Sequence, residues 1–521
     1  METTTGPAVS GLSTGPLAGR REWIGLGVLA LACLVYAMDL TVLHLAVPQI
    51  SATLHPTGTE LLWIIDVYGF MLAGLLITMG TLGDRIGRRR LLMIGAALFG
   101  AVSVLAAFAP SAETLIACRA LLGIAGATIA PSTLSLIFNM FRDARQRSLA
   151  VGTWVTAFSA GGVVGPLLGG LMLEHFWWGS VFLLAVPVMV LLLVLGPRVL
   201  PEFRDDNAGR LDLTGAALSV VTMVALVLAM KKVAQDGFGM VPLLAVVVGA
   251  VAGTLFVRRQ LHRADPMLDL RLFRLSTFRT GLSINVIAVF VMFGYFLFVA
   301  QYFQLVLEMS PTQAGLAMAP SSAGFIVGSQ AAPRLVRVIR PGYLIGIGMT
   351  VAAIGLALLT GLSVHGTPTL AIAASLLVAL GMAPVFGITT ELVVGSAPPE
   401  QAGAASGLSE TGAELGGALG ISILGSISIA IYRSDLNDTL PHGLPGAESI
   451  RDTLGSAVET AGTLPGPLGS AVLQAARAAF MHGVHITAGI AAAAALVIAV
   501  LAVAKLRQIP AGELSGAHDH Q

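Results

Sequence analysis

The sequence predicts an all-α integral membrane protein of about fourteen transmembrane helices, and three observations carry that expectation. Of its 521 residues, 55% are hydrophobic and 11% charged, whereas an ordinary soluble domain is roughly a quarter charged. Apolar runs near the ~20 residues needed to cross a bilayer recur along the chain. Lys and Arg fall between those runs with a one-sided alternation. The first 22 residues are polar, rich in Gly, Thr, Ser and Pro, and lack the apolar core and small-residue cleavage site of a signal peptide. They read as a short disordered tail.

Taken in order, the apolar runs cover approximately 23–48, 61–81, 91–110, 112–139, 145–173, 177–197, 211–232, 238–257, 278–306, 312–333, 342–363, 368–395, 402–432 and 479–505. The seventh and eighth are short and set off by polar linkers at 198–210 and 258–277, which marks a break in organisation. With the N-terminus inside, 23 of the 29 Lys and Arg lie on the cytoplasmic side, five on the opposite side, and Arg119 within a span. The positive-inside rule then puts both termini in the cytoplasm, which agrees with an even number of spans. The segment 433–478 faces outward, as a lid, a solvated loop or a short helical hairpin.

Several functions are excluded at this level. A formal net charge of +1, from 29 basic and 28 acidic residues, leaves no footprint for nucleic acid. The two cysteines, Cys33 and Cys118, sit in apolar runs without metal-ligand spacing and read as buried thiols, so no disulfide framework and no metal site is expected. There is no G-x-x-x-x-G-K-[ST] phosphate loop and no H-E-x-x-H, and the pair Gly83-Asp84 lies in a loop. An enzyme is not expected, nor a cofactor.

Three stretches combine charge, glycine and proline. GTLGDRIGRRR (80–90) forms a tight cytoplasmic turn with Asp84, Arg85 and three further arginines. Those three read either as a surface anchor or as part of a specific signature. LIACRALLGIAGA (115–127) places Arg119 inside the fourth span, where a charge costs at least ~2.5 kcal/mol unless it faces a cavity or a partner. SAGGVVGPLLGG (159–170) spaces small residues four apart around Pro166. Glycines let helices approach and proline bends them, so packing alone is one reading of that stretch.

Together these stretches resemble the signatures of the major facilitator superfamily, and the glycine-proline pattern resembles the mark of its antiporter branch. MDLTVLHLAVP (38–48) and WIIDVYGFMLAG (63–74) are similar to segments of the fourteen-helix drug:proton antiporters of the QacA/SmvA type. The resemblance covers nearly the whole chain and implies the major facilitator fold, two six-helix bundles plus two inserted helices. It implies a tail over 1–22, a first bundle over 23–200, inserted helices with linkers over 201–277, a second bundle over 278–507 and a tail over 508–521. It further implies that Asp39 is the first-span acid, Asp84 and Arg85 belong to a cytoplasmic gate, Arg119 is the proton-coupling arginine, and Gly165-Pro166 is the antiporter bend. His44 departs from the usual residue of the first-span signature and reads as a core histidine.

Five acids fall within the spans, Asp39, Asp66, Glu391, Glu410 and Glu414, against Arg119 as the one intramembrane base. Such a surplus suits cations and protons over anions. Glu391 sits near the cytoplasmic end of its span and Asp66 near an outer end, where an interfacial position is also open to each. VMFGYFLFVAQYFQ (291–304), with Tyr295 and Phe298, offers an aromatic wall for flat cations or an ordinary packing surface. Glu410 and Glu414 are one turn apart beside Gly412, Gly416, Gly417 and Gly420, which are expected to open space around them. Two charges ~6 Å apart repel by about 3 kcal/mol at an effective dielectric near 20. The pair is therefore expected to keep one proton and to titrate as a unit. A pair lining a wet crevice without a coupling role is the other reading.

The function this supports is a proton-coupled multidrug efflux antiporter for lipophilic, cationic drugs, dyes or biocides in the bacterial plasma membrane. The alternative is a facilitator-type exporter of an endogenous metabolite or lipid. Partners are expected to be small amphiphilic cations, protons and membrane lipids, with the chain acting as a monomer.

Overall fold

The computed structural model describes residues 17–204, 212–263, 266, 270–396, 402–440, 444 and 446–511. Regular structure among the described residues is helical throughout. The first bundle comprises α1 (Arg20–Leu54), α2 (Gly58–Ile86), α3 (Arg88–Ala107), α4 (Ala112–Met140) and α5 (Ala144–His175), then α6 (Ser180–Leu183) and α7 (Ala185–Val199), which make one crossing together. The inserted pair is α8 (Leu213–Asp236) and α9 (Met240–His262). The second bundle holds α10 (Ser276–Gln301), extended by a π-helical turn at Tyr302–Val306, then α11 (Pro311–Leu335), α12 (Pro341–Leu359), α13 (Pro368–Gly395) and α14 (Ala402–Thr439). The short α15 (Ala447–Asp452) and α16 (Leu454–Thr463) precede its last helix, α17 (Gly466–Leu506). Thirteen crossings among the described residues are long and apolar enough to span a bilayer. The more polar α11, with Gln313, Ser321, Ser322 and Gln330, completes the set expected from the sequence.

Helix starts are set by side chains that take up the orphan N–H groups of the first turn. Thr57 accepts from the Glu60 N–H at 3.2 Å while Glu60 accepts the Thr57 N–H at 2.8 Å, a reciprocal cap that starts α2. Ser310 and Gln313 repeat the device at α11, with Pro311 in the first turn. Asp143 and Asp212 cap α5 and α8. Between α2 and α3 the chain reverses at Gly87, whose φ of 108° is open to glycine and strained for other residues.

Packing repeats within the chain. In the first bundle α1 packs on α5, α2 on α4, and α3 on both α4 and α7. In the second, α10 packs on α14, α11 on α13, and α12 on both α13 and α17, the same scheme again. The bundles meet along two seams, α2 against α14 and α5 against α11. Helices α8 and α9 pack on each other, and α8 alone of the two lies broadly against α2 and α14. The far face of α9 presents Leu243, Leu244, Val247, Val248, Val251 and Leu255 outward, as a lipid-facing helix does.

The 433–478 segment is largely helical rather than a solvated loop. Ile450, Leu454 and Ala457 are buried, Tyr432 donates to the Ile450 carbonyl at 2.9 Å, and Ser456 donates to the Ser51 carbonyl at 3.3 Å. Helix α16 thereby straps the second bundle to α1. At the opposite end, Arg89 donates to the Leu200 carbonyl at 3.1 Å and pairs with Glu202 at 3.4 Å. This fastens α3 to the end of α7 and favours the anchoring reading of the arginine cluster.

Candidate functional site

Helix α1 carries Tyr36 and Asp39 one turn apart, so both project from one face toward the seam between the bundles. Asp39 meets Arg119 of α4, with Nη1 to Oδ2 at 2.6 Å. Arg119 is 2% exposed, which removes interfacial snorkelling as its explanation. Its Nε–H donates to the Ile64 carbonyl at 3.1 Å, and its guanidinium lies 4.6 Å from the Tyr68 ring centroid and 6.0 Å from that of Phe182. One arginine thus joins α1, α2, α4 and α6. A buried charge persists only when partners compensate it in this way.

The second bundle reaches the same place through α14. The Tyr36 hydroxyl donates to Glu414 Oε1 at 3.0 Å, a direct polar link between the two bundles. Glu410 and Glu414 are both half-buried. Behind Tyr36 stand Phe158, at 6.1 Å between ring centroids, and Trp154, stacked on Phe158 at 6.2 Å with its indole N–H donating to Thr133 at 3.1 Å. Carboxylates and flat aromatic faces are the groups that hold delocalised cations. Neither Tyr36 nor the Trp154–Phe158 stack is singled out by the sequence. The i, i+3 spacing of Tyr36 to Asp39 and the i, i+4 spacing of Trp154 to Phe158 are the signals that could have found them.

Other site residues lie elsewhere. Tyr295 and Phe298 are buried and line a small apolar crevice with Leu424, Val484 and Ala488, inside the second bundle between α10, α14 and α17. The glycines beside the glutamates do not open space. A side chain at Gly416 or Gly420 would strike the Val286 or Phe290 carbonyl of α10, and one at Gly412 would come 2.9 Å from Leu282. Their absent side chains let α10 and α14 close on each other. Glu391 is half-buried in α13. His44 is a buried core residue, edge-on to Phe296 at 5.3 Å. Cys33 and Cys118 are buried free thiols.

Asp66 requires a larger correction. It is buried and pairs with Lys231 of α8 at 3.0 Å, both side chains at 0% exposure. Lys231 stands at the end of the seventh span beside Lys232, a place where lysines ordinarily reach the interface. Arg119 is therefore not the one intramembrane base.

Of the gating residues, Gly165 and Pro166 are buried in α5. Gly161, Gly165 and Gly169 face α1, where a Cβ on Gly165 would come 2.5 Å from Thr41 Oγ1. The adjoining face meets α11, with the Pro166 carbonyl 2.6 Å from the Cβ position of Gly315. Pro166 thus lies on the seam between the bundles. Arg85 is exposed near the end of α2. The side chain of Asp84 lies outside the described residues.

A polar cluster also closes the other end of the inserted pair. Asp212 accepts from the Gly215 N–H at 2.8 Å, Arg259 at 2.7 Å and Gln260 at 3.0 Å, and pairs with Arg263 at 3.0 Å. Burial opposes its charge, yet these donors outweigh burial and hold Asp212 below its ordinary value.

Two repeated helical bundles that meet at a carboxylate carried on a membrane-spanning helix define a multi-pass membrane transporter. The chain belongs to the Major Facilitator Superfamily, which residues 29–421 match. It is 44% identical to the multidrug efflux pump LfrA of Mycolicibacterium smegmatis over 486 residues, 93% of this chain and 95% of that protein. It is 35% identical to the methyl viologen resistance protein SmvA of Salmonella typhimurium, across 92% of this chain and 97% of that one. A tetracenomycin C resistance and export protein of Streptomyces glaucescens is 32% identical across 96% of this chain and 95% of its own length. In fold, the chain matches a bacterial homolog of the human lysosomal transporter Spinster with a TM-score of 0.64 at 18% identity, over 94% of this chain and 99% of that one.

Proposed function

We propose that this protein is a proton-coupled multidrug efflux antiporter, exporting lipophilic cationic drugs across the bacterial plasma membrane with both termini in the cytoplasm. One observation carries the reading. Glu414, in the second bundle, holds a hydroxyl from the first bundle one turn from the Asp39–Arg119 pair. Protonation or cargo at the glutamates therefore acts directly on a contact between the moving halves. The high identity to efflux and resistance proteins over nearly full length supports the same substrate class.

The mechanism follows from charge. A cation reaching Glu410 and Glu414 from the cytoplasm favours their ionised form and displaces a proton, while a proton arriving from outside neutralises the pair and releases the cation. The seams are packed toward the α1–α2 end, where Gly69 approaches Ala418, Gly425 approaches Leu62 and Gly170 approaches Pro311. On the proposed topology that end is extracellular, so this arrangement closes the outside. Asp39–Arg119, which joins α1 to α4 and, through the Ile64 carbonyl, to α2, relays the change of charge at the glutamates to the first bundle. Gly165-Pro166 shapes α5 where it meets α11, and Asp84 with Arg85 belongs to the cytoplasmic gate. A single chain contains every group used, so a monomer suffices.

The test is purified protein in liposomes with an imposed pH gradient and a panel of monovalent cations, divalent cations and neutral drugs. Gradient-dependent uptake of cations with matching proton counterflow is expected. Transport unaffected by collapsing the gradient would overturn the proposal and favour a facilitator.

A further inference from the structure

The inserted pair α8–α9 plays no part in the mechanism above, yet its attachment is uneven. Toward α2 the contacts are directional. Lys231 pairs with Asp66 at 3.0 Å and lies 4.0 Å from the centroid of the Trp63 ring. About three turns along, Ser219 donates to the Gly74 carbonyl at 3.1 Å, and Val220 fills the space that a side chain on Gly74 would take, 2.6 Å from its Cβ position. Toward α14 the meeting is apolar among the described contacts. Val227 forms a buried cluster with Phe70 of α2 and Ala418 of α14, flanked by Met223, Met230 and Leu419.

Directional bonds resist sliding, because a buried ion pair that loses its partner leaves an uncompensated charge. Apolar surfaces have no such preferred register, and methionines re-pack readily. The site sits where α2 and α14, one from each bundle, lie against each other at the closed end.

We propose that Lys231 is a positioning residue that locks the inserted pair to the first bundle through Asp66, so that α8 travels with α2 and slides over α14 when the closed end opens. On this view Lys231 withdraws Asp66 from cargo binding. The inserted pair then keeps the α2–α14 seam covered against lipid throughout the cycle. The inference rests on the proposed alternating export, and its test is read relative to the active parent protein. A parent that does not transport would sink the export proposal alone.

Two measurements test it in the full-length protein in liposomes. The first compares cysteine pairs sharing one position on α8: Phe70→Cys with Val227→Cys joins α8 to α2, and Ala418→Cys with Val227→Cys joins α8 to α14. Oxidation of the first pair should leave gradient-driven transport of a dye cation within about twofold of its reduced form, whereas oxidation of the second should stop it by about tenfold or more, reversibly with reductant. Equal effects, or the opposite order, would overturn the proposal. The second measurement does not depend on cross-linking. Lys231→Met should lower the maximal transport rate by about tenfold while leaving dye affinity unchanged. The charge exchange Lys231→Asp with Asp66→Lys should recover most of that rate. A changed affinity at unchanged maximal rate, or no recovery in the exchanged pair, would return Asp66 to the substrate site.

Discussion

Asp39→Asn tests the relay at its most constrained point. The substitution keeps the shape of the side chain and an acceptor for the guanidinium, but removes the negative charge 2.6 Å from Arg119 Nη1. The buried guanidinium of Arg119 is then left without its carboxylate partner. Removing one member of a buried pair costs about 3–5 kcal/mol. The retained amide acceptor, the Ile64 carbonyl at 3.1 Å and the Tyr68 ring at 4.6 Å offset part of this. A net loss of about 2–4 kcal/mol corresponds to roughly 30- to 1,000-fold in any step that needs the pair intact. The assay is pH-gradient-driven efflux in liposomes beside thermal unfolding in detergent. Asp39→Asn should be folded, destabilised and nearly inactive. Adding Arg119→Gln removes the orphaned charge and should restore stability without restoring coupled transport. Recovery of both in the double variant would mean that the pair is scaffolding, and that the proton passes elsewhere.

Three further outcomes follow from the same geometry. Tyr36→Phe deletes the 3.0 Å hydrogen bond to Glu414, worth about 1.5–3 kcal/mol for a charged acceptor; together with Glu410→Gln and Glu414→Gln it should reduce drug-induced proton release in detergent, measured with a pH dye. Pro166→Ala changes α5 where its carbonyl faces Gly315 of α11, so uncoupled proton leak or slowed exchange is expected, and parental rates with no leak would make the segment simple packing. Asp212→Ala removes the α8 cap and its arginine partners, and because Arg259 is 38% exposed at its side chain the loss is set at about 1–3 kcal/mol. Donors hold Asp212 below its ordinary value, so its contribution is complete above the unfolded carboxylate range and vanishes as pH falls through the folded one; the gap in Tm between parent and variant should therefore narrow on acidification.

The membrane spans and Arg119 were legible because each contradicts its surroundings in one dimension: a run of apolar residues needs a bilayer, and an arginine deep in such a run needs a partner. Lys231 gives no such contradiction. It closes its span next to Lys232, and only the approach of α2 reveals that it is buried rather than interfacial. Tyr36 is hidden for a similar reason, since a tyrosine in an apolar helix announces nothing until a carboxylate from another bundle reaches its hydroxyl. Tyr295 and Phe298 show the reverse failure. An aromatic run states how much ring surface a helix carries and not which way it faces, and α10 turns those two rings inward. The glycines of α14 were readable and misassigned, because Gly412, Gly416 and Gly420 at four-residue spacing mark a helix contact, which α10 fills.

What decides the site is which acids the buried bases take. A count of intramembrane carboxylates treats Asp39, Asp66, Glu410 and Glu414 as equivalent cation ligands. The structure separates them: Arg119 holds Asp39, Lys231 holds Asp66, and among the described residues neither Glu410 nor Glu414 forms an ion pair with a base. A carboxylate already neutralised at 2.6 or 3.0 Å has little left to offer an incoming cation, because binding there must first displace a tethered one. Among the described residues Glu414 has a phenol to give up, and a hydroxyl is a far weaker competitor than an ammonium or a guanidinium. On the proposed mechanism Asp66 then serves as a fastening to the inserted pair, Asp39 stays with Arg119 as the coupling pair, and the positions open to cargo are the glutamates of α14. This ordering is why the proposal seats the exchanged proton and the cargo on Glu410 and Glu414, and why monovalent and divalent cations alike should lose binding when those glutamates are neutralised, before they lose it on neutralising Asp66.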